Sequence, residues 1–308
     1  MSSKNEPFFF EKDFWKQIDS KTNQFILNTS NINNFLPIWH PPFDYQGEYF
    51  FGDKTFPREM FNVEGPEFTY RVNQNGFRSN SFSTFDENNN NILTSGCSLT
   101  HGVGLPEEYT WGSKLSHKMN NSNLYNLGIP GSNVFRIVRD ILTFINLYGK
   151  PKYIFVLFPE LSRRIKFDRK SVNYENVVPG DDNPRDVFDL KVNYENSFLM
   201  HTSMIHFLEF TCNALNINLL WSTWDFTFTK LLNDANDLMN FKNYLILPTY
   251  CRNISAFYLD KDFKKQCEEL SKFNINNEPY WAAARDGRHP GTYYAEYVAE
   301  NFYKELQK

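Results

Sequence analysis

The sequence predicts an α/β protein: a three-layer α/β/α sandwich on a parallel sheet, preceded by an irregular, partly β-stranded N-terminal extension. Three observations carry this reading. From Ile92 onward, short apolar runs alternate with longer segments of helical period. The run Lys152 to Phe158 is apolar on both faces, as a strand covered by helices on each side must be. Residues 1–88 differ in kind, with Pro37, Pro41, Pro42, Pro57 and Pro66 among many aromatics.

Taken in order, an early helix is expected near residues 11–27, and the alternating piece Phe68 to Val72 reads as a short strand. The polar run Asp86 to Asn91 reads as a turn or linker. Ile92 to Ser95 is a buried strand ending in Gly96, and Glu107 to Met119 fits a helix. Leu124 to Gly128 is a second strand, after which Ser132 caps a helix to Tyr148. Lys152 to Phe158 is the third strand. The polar stretch 160–196, with Pro179, Gly180 and Pro184, reads as loop. Helices are expected over Phe198–Leu215, Thr227–Asn240, Asp260–Phe273 and Thr292–Leu306, with a buried strand over Ile217–Thr223. The division is then 1–88, an extension or small subdomain, and 89–308, the α/β/α domain.

Composition narrows the function classes. The 308 residues are 41% hydrophobic and 18% aromatic, enough to build a core and too apolar for a disordered chain. A net charge of −4 without any Lys/Arg block argues against nucleic acid as a partner. Cys97, Cys212, Cys251 and Cys267 form no C-x-x-C pair, so no zinc or redox motif is expected. Cys97 is expected to be a small buried residue. His201 and His206, five apart, miss the spacing that sets two metal ligands on one helix face. No signal-peptide h-region and no apolar run of membrane-spanning length is present, so a cytoplasmic or virion-associated protein is expected. The sequence sets no oligomeric state.

Two segments far apart carry chemistry. Gly96-Cys97-Ser98-Leu99-Thr100 leaves the first strand at its carboxyl end, where ligands bind in parallel α/β sheets. Asp286-Gly287-Arg288-His289-Pro290 sits just before the last helix. A serine needs a base to become a nucleophile, and the base needs a group to orient it. Ser98, His289 and Asp286 supply the three types. Read alone, Ser98 is also compatible with an ordinary βα loop, and Asp286 with a helix cap beside an exposed histidine. Asn126 to Ser132 is a third junction, where a glycine N–H can face an oxyanion or serve only as a turn. Thr100 replaces the second glycine of G-x-S-x-G, and Glu107 replaces the last glycine of G-x-G-x-x-G. Neither an α/β-hydrolase elbow nor a nucleotide loop is present, and no cofactor is expected.

These blocks, in this order, resemble the SGNH (GDSL) hydrolase superfamily of esterases and lipases. Gly96 to Thr100 matches its first block with Cys97 where Asp is usual. Asn126 to Gly131 matches the N-x-x-x-x-G block, and Asp286 to Pro290 matches D-x-x-H-P in full. Asn73-Gln74-Asn75-Gly76-Phe77-Arg78 is similar to an N-x-x-G-F-R stretch of some extended members. The resemblance implies a flavodoxin-like sandwich, a triad of Ser98, His289 and Asp286, and an oxyanion hole of the Ser98 and Gly131 N–H groups. It also implies an Asn donor from a G-x-N-D block. Here Pro159-Glu160-Leu161-Ser162-Arg163-Arg164 stands instead, leaving Ser162 or Arg163 as substitutes. Losing one such donor costs about 10²–10³ in kcat, which weakens a triad without abolishing it.

The expected activity is hydrolysis of an ester on a small molecule or glycan, an O-acetyl ester being favoured. Trp224 and Trp281 are candidate pocket walls, and Trp221 is a core residue by its strand pattern. Acyl transfer to an alcohol would use the same groups. The alternative is a catalytically weak or inactive glycan-binding or virion-associated structural protein on the same fold.

Overall fold

Four buried strands pair side by side into one parallel sheet. The computed structural model describes residues 47–50, 68–168, 173–177, 194–235, 241–245, 271–275, 277–278, 280–284 and 289–308. The elements are β1 (Gly47–Phe50), β2 (Thr69–Val72), β3 (Asn91–Gly96), α1 (Ser98–His101), α2 (Trp111–Lys118), β4 (Asn123–Asn126), α3 (Val134–Tyr148) and β5 (Tyr153–Phe158). They continue with β6 (Arg164–Asp168), β7 (Asn173–Val177), α4 (Tyr194–Ala214), β8 (Asn218–Thr223), α5 (Phe226–Asp234) and α6 (Thr292–Leu306). The expected helix near residues 11–27 and most of the one over Asp260–Phe273 lie outside the described residues.

The sheet runs β4-β3-β5-β8, all parallel. A parallel bridge from Trp221 to Tyr244 extends it by one position beyond β8. Two bonds hold that extension: Trp221 N–H donates to Asn243 O (3.0 Å) and Leu245 N–H donates to Trp221 O (2.8 Å).

The period of two along each strand sorts the side chains into two layers. Ile92, Leu124, Phe155, Leu157 and Leu220 share one cluster with Trp111 and Leu115 of α2 and Val298, Ala299 and Phe302 of α6. On the other face Tyr125 meets Phe144 of α3 (5.7 Å between centroids). There Trp221 donates its indole N–H to Glu209 of α4 (2.8 Å). Helices therefore cover both faces, and the α/β/α expectation stands.

The segment after β2 seals the sheet's edge. Phe82 packs on Phe77, Tyr125, Phe144 and Tyr148 at centroid distances of 5.1 to 6.3 Å. The Asn126 N–H of β4 donates to Ser79 Oγ (2.9 Å), and Asn80 Nδ2 donates to Leu124 O (3.1 Å). Side chains thus take up main-chain groups that an open edge would offer to another strand. In the same N-terminal part, β1 pairs antiparallel with β2.

Three local expectations change. Residues 107–119 are not one helix: a 3-10 turn over Glu107–Tyr109 precedes α2, and Thr110 between them adopts an extended backbone to cap α2. Its Oγ1 accepts from Ser113 N–H (3.3 Å). The next helix is capped by Asn133 rather than Ser132, because the helix starts one residue later: Asn133 keeps an extended backbone and its side chain accepts from the Arg136 N–H (2.9 Å). The stretch 160–196 is not all loop, since β6 and β7 form an antiparallel hairpin. Arg164-Ile165-Lys166-Phe167-Asp168 alternates polar and apolar, the pattern of a strand with one wet face.

The strand order reverses direction of growth between β3 and β5, which makes their carboxyl ends the topological switch point of the sheet. Ser98 stands there, two residues past the end of β3. α6, which follows His289 directly, is locked to the sheet by Phe302 against Trp111 (5.6 Å) and Phe155 (5.5 Å). Phe302→Ala is expected to destabilise the protein by about 3–5 kcal/mol, read by urea denaturation. A loss below ~1 kcal/mol would show that α6 is not part of the core.

Candidate active site

The backbone leaves β3 through Gly96, and there is no space for a side chain. A Cβ there would lie 2.1 Å from Thr100 Oγ1 and 2.7 Å from Leu157 O. The chain then folds back as α1. Cys97 O accepts from the N–H groups of Thr100 (3.0 Å) and His101 (2.9 Å), and Ser98 O accepts from Gly102 (2.9 Å) and Val103 (3.0 Å). Peptide planarity makes the first pair directional: with Cys97 O tied inward, the Ser98 N–H points the opposite way. Ser98 and Cys97 are both buried. Trp224 donates its indole N–H to Cys97 Sγ (3.3 Å), so Cys97 is a packed acceptor behind the serine.

The second block lies against this turn. Asn126 Nδ2 donates to Thr100 O (2.9 Å), and its Oδ1 accepts from Gly128 N–H (2.8 Å). Ile129 N–H donates to Gly96 O (3.2 Å). Gly131 follows with φ +77°, in the left-handed region, within a turn closed by Ser132 N–H to Ile129 O (3.1 Å). Among the described residues, no hydrogen bond takes up the N–H of Ser98 or of Gly131.

His289 is tied down through its own main chain and that of Pro290. Ala283 and Pro290 form an antiparallel bridge, and Ala284 N–H donates to His289 O (2.9 Å). Thr292 N–H donates to Tyr280 O (2.8 Å), joining the loop to the start of α6. His289 and Pro290 share one small cavity with Leu99, Gly102, Val103, Leu105 and Trp111. His289 and the residues just after Ser98 are therefore neighbours, although about 190 positions separate them. Asp286 lies outside the described residues.

Where the Asn donor was expected, Arg163 is buried and donates from Nε to Glu160 (2.7 Å). Its Nη1 makes a longer contact to Ser132 O (3.4 Å), beside Gly131. The guanidinium also lies 5.6 Å from the centroid of Trp224. Ser162 is half-buried. Trp224 is buried and Trp281 is half-buried against Tyr293 (5.1 Å), while Trp221 is fully buried in the core.

Three residues to which the sequence assigned no role enter the site's surroundings. Arg78 is buried and donates to the carbonyls of His101, Gly102 and Leu105. Tyr70 lies beneath it and accepts from Gly104 N–H (2.7 Å). His101 is buried against Tyr70, with Nδ1 3.2 Å from Gly128 O. A carbonyl only accepts, so Nδ1 carries the proton. The motif around Arg78 was the one available pointer, and it does not say which carbonyls a guanidinium would reach.

Solved structures similar to this chain include a G-D-S-L family protein from Desulfitobacterium hafniense DCB-2, 13% identical, with a TM-score of 0.39 over 70% of this chain and 99% of that one. TesA is 10% identical, with a TM-score of 0.41 over 70% and 98%. A lipolytic G-D-S-L family member from Veillonella parvula DSM 2008 is 12% identical, with a TM-score of 0.33 over 71% and 98%. No protein-family model and no curated protein matches the chain. Among the described residues, no helix is long and apolar enough to cross a membrane, and no cluster of His, Cys, Asp or Glu could hold a metal ion.

Burial, and then the nearby Arg78 guanidinium, push the His101 ring down to about 3, against the opposing pull of the Gly128 carbonyl. Burial holds His201 at about 4 in the same way, against the pull of the Ser197 carbonyl. Both rings fold neutral, while in the unfolded chain they take up a proton near pH 6.5. The unfolded state thus binds more protons below that pH, so stability falls as the pH drops. The expected slope is about 1.4 kcal/mol per pH unit for each ring, over pH 6.5 to 3 for His101 and 6.5 to 4 for His201. His101→Asn keeps a donor near Gly128 O and cannot titrate, so its pH–stability curve should be flatter by one such slope. Parallel curves for wild type and variant would refute a neutral, buried His101.

Proposed function

We propose that this protein is a serine esterase of the SGNH type, with Ser98 as nucleophile, His289 as base and Asp286 as the group that orients the base. The observation that carries the proposal is the meeting of two distant segments: His289 borders the cavity that Leu99 lines, at the switch point of a parallel sheet. Among the described residues the Ser98 hydroxyl donates to Cys97 Sγ at 3.9 Å, a long, weak bond that a nitrogen acceptor would readily replace.

The chemistry follows from those positions. His289 takes the Ser98 hydroxyl proton as Oγ attacks the ester carbonyl, and the carbonyl π electrons move onto oxygen. The N–H groups of Ser98 and Gly131 receive that oxyanion, since no other acceptor among the described residues takes them. Collapse of the intermediate breaks the C–O bond to the alcohol, which leaves with the proton from His289. Water, deprotonated by the same ring, then attacks the acyl-serine, and as the C–Oγ bond breaks the ring returns that proton to Ser98 and the acid is released.

The favoured substrate is an O-acetyl ester on a glycan. The space between His289 and the Ser98 turn is narrow, with apolar walls from Leu99, Val103, Leu105 and Trp111. Such walls suit a short acyl group more than a long chain. Trp281 and Tyr293 nearby offer half-buried ring faces of the kind that sugars stack on.

The test is labelling with a fluorophosphonate probe together with hydrolysis of p-nitrophenyl acetate, p-nitrophenyl octanoate and an acetylated glycan. Wild type should be labelled, and should prefer acetate to octanoate. Ser98→Ala should lose labelling, and His289→Ala should lose turnover by about 10³-fold or more. Labelling that persists in Ser98→Ala would refute the nucleophile. An inert wild type that still binds the glycan would favour a binding protein instead.

A further inference from the structure

We infer that Arg78, in the segment before the sheet, is a positioning residue for the Ser98 turn and sets the rate of acylation. The inference rests on the esterase reading and adds a residue to it. Arg78 Nη1 donates to His101 O (3.1 Å) and to Gly102 O (2.8 Å), while Nη2 donates to Leu105 O (2.8 Å).

What matters is the far side of those peptides. The His101 carbonyl shares one rigid plane with the Gly102 N–H, and the Gly102 carbonyl shares one with the Val103 N–H. Those are the two N–H groups that donate to Ser98 O, at 2.9 and 3.0 Å. A single guanidinium nitrogen therefore holds the oxygen ends of both peptide planes whose hydrogen ends hold the nucleophile's own carbonyl. The cation also polarises each amide along the chain of bonds, which strengthens the N–H side.

The clamp has a second jaw. The Tyr70 ring lies 4.3 Å from the Arg78 guanidinium carbon, and its hydroxyl accepts from Gly104 N–H (2.7 Å). Gly102 leaves no latitude, since its φ of +77° is held with Thr110 Cγ2 only 2.3 Å from where a Cβ would stand. Loop 101–105 is thus fixed from the N-terminal segment. The carbonyls that Arg78 holds are those of loop 101–105. The effect of Arg78 passes through two peptide planes to Ser98.

A lysine at this position keeps a cation but has a single nitrogen without the planar fork, so it cannot span His101, Gly102 and Leu105 together. Arg78→Lys is accordingly the main test, with Arg78→Ala beside it and Phe82→Leu as a control. Phe82 packs on Tyr125, Phe144 and Tyr148, in the same N-terminal segment but away from the turn. Fluorophosphonate labelling rates and the kcat and KM for p-nitrophenyl acetate are measured at a temperature well below each Tm. Arg78→Lys should lower the labelling rate and kcat by about 10–100-fold, the effect expected of an ångström-scale displacement, with KM within about twofold. Phe82→Leu should lower Tm and leave kcat unchanged. A folded Arg78→Lys with wild-type kcat would overturn the positioning role while leaving the esterase reading intact. Equal kcat losses in Arg78→Lys and in a Phe82→Leu of matching Tm would also overturn it. A wild type that neither labels nor turns over would overturn the esterase reading and this role with it.

Discussion

The site depends on one backbone-to-backbone contact, between the turn that carries Ser98 and the loop that follows β4. A Cβ on Gly128 would stand 2.4 Å from His101 N and 2.6 Å from Thr100 C, so only a bare α-carbon fits. Asn126 fills the gap by accepting from one loop and donating to the other. Its amide is buried, and leaving it unsatisfied would cost about 1–3 kcal/mol. The contact also extends the sheet past the strand ends. Leu127 N–H donates to Thr94 O (2.8 Å) and Ile129 N–H to Gly96 O (3.2 Å). Strand register, set by apolar packing far from the site, is thereby carried forward to the relative position of Ser98 and Gly131.

Magnitudes separate what holds this part together from what only decorates it. The helices α2 and α6 are joined by Lys114–Glu296, Lys118–Glu296 and Lys118–Glu300, at 2.7 to 3.2 Å. These pairs are partly exposed, and such pairs contribute about 0–1 kcal/mol each. Burying Phe302 between Trp111 and Phe155 contributes several times more, so the hydrophobic contact holds α6 on the sheet and the ion pairs trim its alignment. At Arg78 the balance is reversed. Hydrogen bonds from a charged donor contribute about 1.5–3 kcal/mol each, and three converge on one short loop. Apolar burial positions the helices, and a buried cation holds the loop that follows Ser98.

What the sequence disclosed follows the same division. The strands over 92–95, 152–158 and 217–223 were readable because burial on two faces leaves an apolar run whatever the partner, whereas the edge strand expected over 124–128 runs over Asn123–Asn126 and is exposed at its start. The hairpin of β6 and β7 was not, because proline, glycine and charge around it masked a five-residue alternation. Thr110 splits a helical period that continues through it, and only the capping bond to Ser113 reveals the break. At the site, residue types declared themselves and relations did not. Ser98 and His289 could be named from short blocks, whereas their shared cavity needs the whole sheet between them. Arg78 was visible as part of a motif, yet nothing in one dimension couples it to the carbonyls of His101, Gly102 and Leu105.

The missing Asn donor takes a more definite form in three dimensions. Arg163 occupies that stretch, but its short bond goes to Glu160, which counterbalances its charge within the protein. Its contact with Ser132 O falls on the loop that bears Gly131. A guanidinium so engaged is already committed within the protein, and on the esterase proposal the oxyanion donors are two main-chain N–H groups. Backbone donors held by a closed hydrogen-bond network need little reorganisation when charge develops, which is the source of most oxyanion stabilisation. The Ser98 N–H is fixed through Cys97 O, and the Gly131 N–H by the turn that Ser132 closes on Ile129. With two rigid donors in place of three, an esterase here would lose rate at the oxyanion and keep its nucleophile. That places the premium on the order of the Ser98 turn, which Asn126 secures from one side and Arg78 from the other.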